Sequence, residues 1–268
     1  MPQQPIVNLD LSGKHALVGG ASQGIGAAAA RALAELGANV TLVARSENLL
    51  KDVLAQLATG SGHQHGYLCA DFDQPQVLKA TLEGWLKQHA PVHILINNSG
   101  GPPGGPAHAA GLDEYQRAFS RLLLSGQVLV QALWPGMKAS GYGRIINVIS
   151  TSVKEPIKGL GVSNSTRWAV AGWAKTLATE LGPYGITVNN ILPGFTRTGR
   201  IASLFQARAE KEQRSVADIE ADARALIPLG RFAEPEETAA AIAFLASPAA
   251  SYINGINLPV DGGRTQSL

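Results

Sequence analysis

The stretch Leu17-Val18-Gly19-Gly20-Ala21-Ser22-Gln23-Gly24-Ile25-Gly26 decides how this chain folds. The apolar run before it, residues 16–18, predicts a short buried strand, and residues 27–36 are helix-forming throughout. Strand, glycine turn and helix make the first half of a βαβ unit. The start of such a helix presents unpaired N–H groups and the positive end of its dipole, so it can hold a phosphate. Gly20 and Gly24 let the backbone turn tightly and approach a pyrophosphate, with Ser22, Gln23 and Ile25 carried on the same turn. Gly26 lets the helix pack closely on the sheet. The same residues also spell G-x-S-x-G through Gly20, Ser22 and Gly24, the strand-to-helix elbow of a serine hydrolase. That elbow needs an acid and then a histidine later in the chain, and the last histidine is His108.

Working outward, strand and helix patterns alternate to the end. Strands are expected at 16–18, 40–44, 66–70, 92–97, 144–149, 186–192 and 256–260. Between them lie helical patterns at 27–36, 47–58, 76–89, 113–138, 163–181 and 236–246. In the second of these, Leu49, Leu50, Val53, Leu54 and Leu57 share one face. Residues 98–106 are too rich in glycine and proline for regular structure. Residues 200–225 are charged and alanine-rich and read as mobile helices, within a substrate lid at 197–226. Strands separated by helices imply parallel pairing with right-handed crossovers. A single doubly wound α/β domain, 1–268, is the economical organisation.

Composition agrees. Hydrophobic residues make up 45% of the 268 and charged residues 16%, enough for one sizeable core. The net charge of +2, without a basic block, gives no case for a nucleic-acid partner. A lone cysteine, Cys69, cannot form an internal disulfide and suits a reducing compartment. The polar start, residues 1–14, has no apolar signal core, and no apolar run approaches a membrane span. The expectation is a cytoplasmic protein with no membrane partner.

With these motifs in place, the chain resembles the short-chain dehydrogenase/reductase family over nearly its whole length. The glycine turn is similar to the family's T-G-x-x-x-G-x-G, with Gly19 where the family has Thr, so one side-chain hydrogen bond is lost. Asn97-Asn98-Ser99-Gly100 resembles N-N-A-G, and Pro193-Gly194 with Thr198 matches P-G-x-x-x-T, which lies against the nicotinamide. Asp71 sits where the family contacts adenine. The tail, from Gly230 to Asp261-Gly262-Gly263, is similar to members resembling β-ketoacyl carrier-protein reductases. The resemblance implies a Rossmann-like doubly wound parallel sheet of about seven strands. It also implies a dinucleotide cofactor, a small-molecule carbonyl or alcohol substrate, and a homodimer or homotetramer. The helices 113–138 and 163–181 would pair across the two-fold axis, with Ala169, Val170, Ala171, Gly172, Trp173 and Ala174 allowing close approach.

Cofactor choice is read at the end of the second strand, where NAD users of the family carry an acid for the ribose hydroxyls. Here the residues are Ala44-Arg45-Ser46. No carboxylate repels a 2′-phosphate, and Arg45 can pair with it through its planar fork, so NADP(H) is favoured over NAD(H).

The catalytic positions break the resemblance. The family uses Asn, Ser, Tyr and Lys. Ser150 stands where the family's Ser does, three residues after Asn147. The Tyr and Lys positions hold Ser163 and Arg167, and the Asn position aligns with Leu122. No tyrosine in the chain is followed four residues on by a lysine. The catalytic candidates are therefore Ser150, Ser163 and Arg167, the last also able to hold the cofactor ribose. A serine hydroxyl is a far weaker acid than a lysine-lowered phenol, and a guanidinium does not release its proton usefully. The expectation is a divergent oxidoreductase; the alternative is a catalytically silent dinucleotide-binding or sensor protein. No metal site is expected, and His63-x-His65 reads as loop.

Overall fold

The computed structural model describes residues 7–60 and 62–267; residues 1–6, 61 and 268, including the first part of the polar start, lie outside that description. The strands are β1 (His15–Gly19), β2 (Asn39–Ala44), β3 (Gly66–Cys69), β4 (Ile94–Asn97), β5 (Gly143–Val148), β6 (Ile186–Pro193) and β7 (Asn257–Val260). They form one sheet in the order β3-β2-β1-β4-β5-β6-β7, with every pair parallel. A parallel sheet is covered on both faces, which is why its central strands read as continuous apolar runs. In β1, Ala16 and Val18 face one layer and Leu17 the other, all fully buried.

The helices are α1 (Gly24–Glu35), α2 (Glu47–Leu54), α3 (Pro75–Leu86), α4 (Leu112–Phe119), α5 (Ser125–Ser140), α6 (Gly161–Leu181), α7 (Gly199–Glu212), α8 (Val216–Ala225) and α9 (Pro235–Ala246). One layer packs α1, α2 and α9 through Ala27–Ala30, Leu33, Leu50, Ile242 and Leu245. The other packs α3, α5 and α6 through Leu78, Leu82, Leu129, Leu133, Met137 and Leu177. The four buried alanines opening α1 let its backbone lie close to its neighbours, as the sequence requires of a helix following a phosphate-type turn.

Three expectations are corrected. The helix expected at 113–138 is interrupted: a π turn over Ser120–Leu124 joins α4 to α5. Such a turn accommodates an extra residue and re-aims the side chains it carries, here Arg121 and Leu122. Leu49 is not on the buried face of α2 but 45% exposed, because Leu50 and Val53 take the core side one position round the helix. Val170 and Ala174, expected on an outward face of α6, point into the core, and the outward stripe is Ser165, Trp168, Gly172 and Thr176. The segment expected to be a lid is built from α7 and α8, with a small core of its own around Phe205, Ile219 and Ile227. The rings of Phe195, Phe205 and Phe232 meet there at centroid separations of 5.6–6.0 Å.

Candidate functional site

A cleft of about 840 Å³ opens at the C-terminal ends of the strands. It lies where the strand order reverses between β1 and β4, the usual ligand position in an open parallel sheet. The glycine turn forms its floor. Gly20 and Gly24 have φ of +57° and +56°, a region that L side chains rarely adopt. A Cβ at Gly20 would lie 2.7 Å from Asn98 Nδ2, and one at Gly24 would lie 3.1 Å from Thr198 Cγ2. Asn98 holds the turn in shape, its Nδ2 donating to Gly19 O at 3.1 Å. Among the described residues no side-chain hydrogen bond caps the start of α1, and Ser22, Gln23, Gly24 and Ile25 there line the cleft. These features fit the pyrophosphate of a dinucleotide.

Gly19 has a structural reason. A Cβ there would lie 2.7 Å from Asn98 O and 3.0 Å from Phe72 Cζ. The Asn98 backbone and the Phe72 ring leave no room for a side chain at this position.

Arg45 and Ser46, at the end of β2, line the same cleft as Asp71, Ser99 and Gly100. The nearest acid in sequence, Glu47, is turned away: its Oε1 accepts from Tyr67 OH at 2.8 Å and pairs with Lys51 Nζ at 2.8 Å. At the other end, Ser150, Ser163 and Arg167 share the wall with Pro193, Gly194 and Thr198. Thr198 also caps α7, its Oγ1 accepting from Ile201 N at 3.4 Å.

Two predicted residues stand behind this wall. Gly26 lies under the turn, where a Cβ would come within 2.2 Å of Gly20 O. Asn97 lines a separate cavity of about 20 Å³ with Leu122, Gly126 and Asn147. It begins a ladder across the sheet: Asn97 Nδ2 donates to Asn147 Oδ1 (2.9 Å), Asn147 to Asn190 (2.9 Å) and Asn190 to Asn257 (2.8 Å). Asn97 Oδ1 is buried without a protein partner, and the cavity beside it has room for one water. The ladder was invisible in the sequence because its members are neighbours only through strand register.

The end of the cleft that carries Ser163 and Arg167 is held by α6. Arg167 Nε donates to Ser163 Oγ at 3.3 Å, one turn back, and Nη1 donates to Val148 O at 3.2 Å. Burial first, and the nearby charge of Arg200 second, push the Arg167 guanidinium down to about 10, still cationic at neutral pH. Ser150 Oγ accepts from Ser152 N at 3.0 Å, which leaves its hydroxyl proton free to donate. Among the described residues no Tyr, His, Lys or Cys lines the cleft. Its carboxylates are Asp71 and Asp73, and Asp73 accepts from Arg121 Nε at 2.6 Å. The Arg121 guanidinium holds the Asp73 carboxyl below the usual carboxylate range. Arg121, Arg200 and Arg264 also line the cleft and were missed in the sequence, where each follows or precedes a recognisable motif without belonging to it.

Elsewhere, His63 Nδ1 and His65 Nε2 both lie within hydrogen-bond distance of Ala58 O, in a loop. Among the described residues no cluster of three metal-ligating side chains occurs, and no helix is long and apolar enough to cross a membrane.

Known proteins share this architecture. Residues 20–265 match the family profile described as enoyl-(acyl carrier protein) reductase. The 3-oxoacyl-acyl-carrier-protein reductase of Vibrio cholerae is 35% identical over 95% of this chain and 98% of its own length. The trans-4-hydroxycyclohexanecarboxylate dehydrogenase of Sinomonas cyclohexanicum is 33% identical over 94% and 93%. The crystal structure of L-sorbose reductase from Gluconobacter frateurii, complexed with NADPH and L-sorbose, superposes with a TM-score of 0.90 at 30% identity, over 97% of this chain and all of that one.

Proposed function

The chain belongs to the short-chain dehydrogenase/reductase family and is an oxidoreductase; from that premise we propose that it binds NADP(H) in the cleft and reduces or oxidises a carbonyl–alcohol pair with little help from an acid. The observation that carries the cofactor reading is Arg45, which lines the cleft beyond β2 with Glu47 turned away from it. A guanidinium there pairs with a 2′-phosphate in two parallel hydrogen bonds, and an acid that would favour NAD is missing.

The dinucleotide supplies or accepts the hydride. The chain's own residues do the rest. The α1 N-terminus and the glycine turn hold the pyrophosphate, Asp71 and Ser99 flank the adenosine side, and Pro193, Gly194 and Thr198 flank the nicotinamide side. Ser150 and Ser163 donate hydrogen bonds to the substrate oxygen. Arg167 keeps a positive charge beside the substrate without giving up its own proton. A proton must then come from water, relayed through these hydroxyls. General acid–base help is typically worth about 10²–10⁴-fold, so the substrate is one whose carbonyl is already activated. The segment α7–α8 closes over it as a lid. The outward stripe of α6 around Trp168 and Gly172 serves pairing of two copies, the smallest closed oligomer.

The absence of a neutral-range acid from the wall also favours a second reading, a dinucleotide-binding protein that does not turn over. A panel of activated and simple carbonyls assayed with NADPH separates the two. Oxidation of NADPH by at least one activated carbonyl is the expected result. No turnover with any, in protein that binds NADPH, selects the silent reading.

A further inference from the structure

Two guanidiniums at the reacting end of the cleft stand side by side without a counter-ion. Arg167 Nη2 and Arg200 Nη2 lie 3.3 and 3.4 Å from the one point where a Cβ on Gly101 would sit. Arg167 is 9% exposed. Its other nitrogens spend their protons on neutral acceptors, Ser163 Oγ and Val148 O. Arg200 donates only to Pro102 O, again a neutral acceptor. A third guanidinium in the same wall, Arg264, donates Nη2 to Thr151 Oγ1 at 2.7 Å. Among the described residues no carboxylate pairs with any of the three, whereas Arg121 in the same cleft has Asp73.

Buried charges are ordinarily paired, because an uncompensated one in a poorly hydrated site is costly. Here the buried Arg167 has no carboxylate and has instead a second guanidinium beside it, that of Arg200, a residue exposed at the cleft. Burial is the first cause lowering both Arg167 and Arg200, and each is lowered further by a neighbouring guanidinium, Arg200 for the first and Arg121 for the second. Arginine does not escape by losing its proton at neutral pH. The anion that compensates Arg167 therefore comes with a ligand, and Arg200 stands beside the place it would take. The dinucleotide's phosphates have receptors of their own, at the α1 N-terminus and at Arg45. The Arg167–Arg200 pair meets beside Gly101 and lines the same cleft as Ser150 and Ser163, whose Oγ accepts from Arg167 Nε.

We propose that Arg167 and Arg200 bind the carboxylate of the substrate, so that the carbonyl–alcohol pair handled in this cleft is a keto acid and its hydroxy acid. This rests on the oxidoreductase reading above. The same oxyanion chemistry has a second source, a phosphate of the dinucleotide, and the experiment separates them.

Pyruvate, acetoacetate and levulinate, each beside its methyl ester, are titrated by calorimetry into protein saturated with NADP⁺ and into protein alone. NADP⁺ is titrated in parallel into wild type, Arg200→Gln and Arg200→Lys. The expected result is that at least one keto acid binds the NADP⁺-saturated protein about 10-fold or more tightly than its ester, the usual scale of a charge-assisted pair. Arg200→Gln loses that preference and Arg200→Lys keeps part of it, while NADP⁺ affinity is unchanged in both, which also shows that they fold. Acids and esters binding alike, or no acid binding to protein that binds NADP⁺, overturns the proposal. So does displacement of the acid by NADP⁺ with Arg200→Gln weakening both equally, which assigns the pair to the dinucleotide phosphates. Acid binding with the same ester and Arg200 dependence in protein that fails to bind NADP⁺ upholds the anion site and removes the cofactor reading instead.

Discussion

Placing an acid at position 163 is the sharpest perturbation this site allows. The double change Ser163→Tyr with Arg167→Lys places a phenol and an ammonium on adjacent turns of α6. The two positions already meet, since Arg167 Nε reaches Ser163 Oγ at 3.3 Å, and both open into a cleft of about 840 Å³, which has room for a ring. A lysine beside the phenol lowers its pKa from about 10 towards neutrality. General acid catalysis is worth about 10²–10⁴-fold. The lower end is expected here, about 10²-fold, because the resemblance puts Leu122, which has no amide, where the family has Asn. The exchange gives up the bond from Arg167 Nη1 to Val148 O, at a cost of about 1 kcal/mol of stability. The assay is loss of NADPH absorbance with acetophenone as a simple ketone, followed against pH. The variant's reduction rate falls as pH rises through the phenol's pKa, whereas the wild-type rate shows no such titration, since no Tyr, His, Lys or Cys lines the described cleft. Wild-type protein that reduces acetophenone as fast as the variant, or that titrates near neutrality, refutes the reasoning: a proton donor then exists that the geometry does not show.

Other consequences can be measured separately. Gly26→Ala puts a Cβ 2.2 Å from Gly20 O, backbone that cannot yield without losing the turn; a denaturant titration should show a loss of about 2 kcal/mol or more, with NADPH binding lost too, and an unaffected melt counts against the described packing. His15 is 8% exposed, with Nε2 2.9 Å from Thr41 Oγ1, and burial above all pushes it down to about 4 from 6.5. The unfolded chain therefore takes up this proton first, so the contribution, about 3 kcal/mol, is complete above the unfolded pKa and lost as pH falls towards the folded one. Thermal melts should drop over that window and His15→Gln should flatten the drop; an equal drop in the variant assigns it elsewhere. Gly172→Arg, on the outward stripe of α6 with open space around its Cβ, should leave the fold intact and shift light scattering from dimer or tetramer to monomer; a monomeric wild type ends the pairing proposal.

Much of this architecture was legible in the chain because each strand and helix carries its own signal. The glycine turn announced the first crossover, and the apolar runs at β1, β5 and β6 are buried on both faces and so could be read without knowing their neighbours. What escaped depends on neighbours in space. The π turn at 120–124 has no local punctuation, because it is an extra residue in an otherwise helical pattern. Leu49 obeyed the apolar pattern and still faces the cleft, since a binding rim and a core face share composition. Cleft residues on recognised motifs could be placed from the resemblance, while Arg200, Arg264 and the packing of Asn98 and Phe72 against Gly19 could not. Their roles come from what the turns and the α7 start bring opposite them. The asparagine ladder needs four strands in register before any pair exists.

The central claim is that Arg45 makes this cleft a receptor for the 2′-phosphate. Equilibrium titration of NADPH and NADH into wild type and Arg45→Asp, followed by quenching of intrinsic fluorescence, tests it most directly. Wild type should bind NADPH about 10–100-fold more tightly than NADH, the scale of one guanidinium–phosphate pair. Arg45→Asp should erase or invert that ratio while leaving NADH affinity nearly unchanged. Equal affinities in wild type, or an NADPH preference that survives Arg45→Asp, would contradict it.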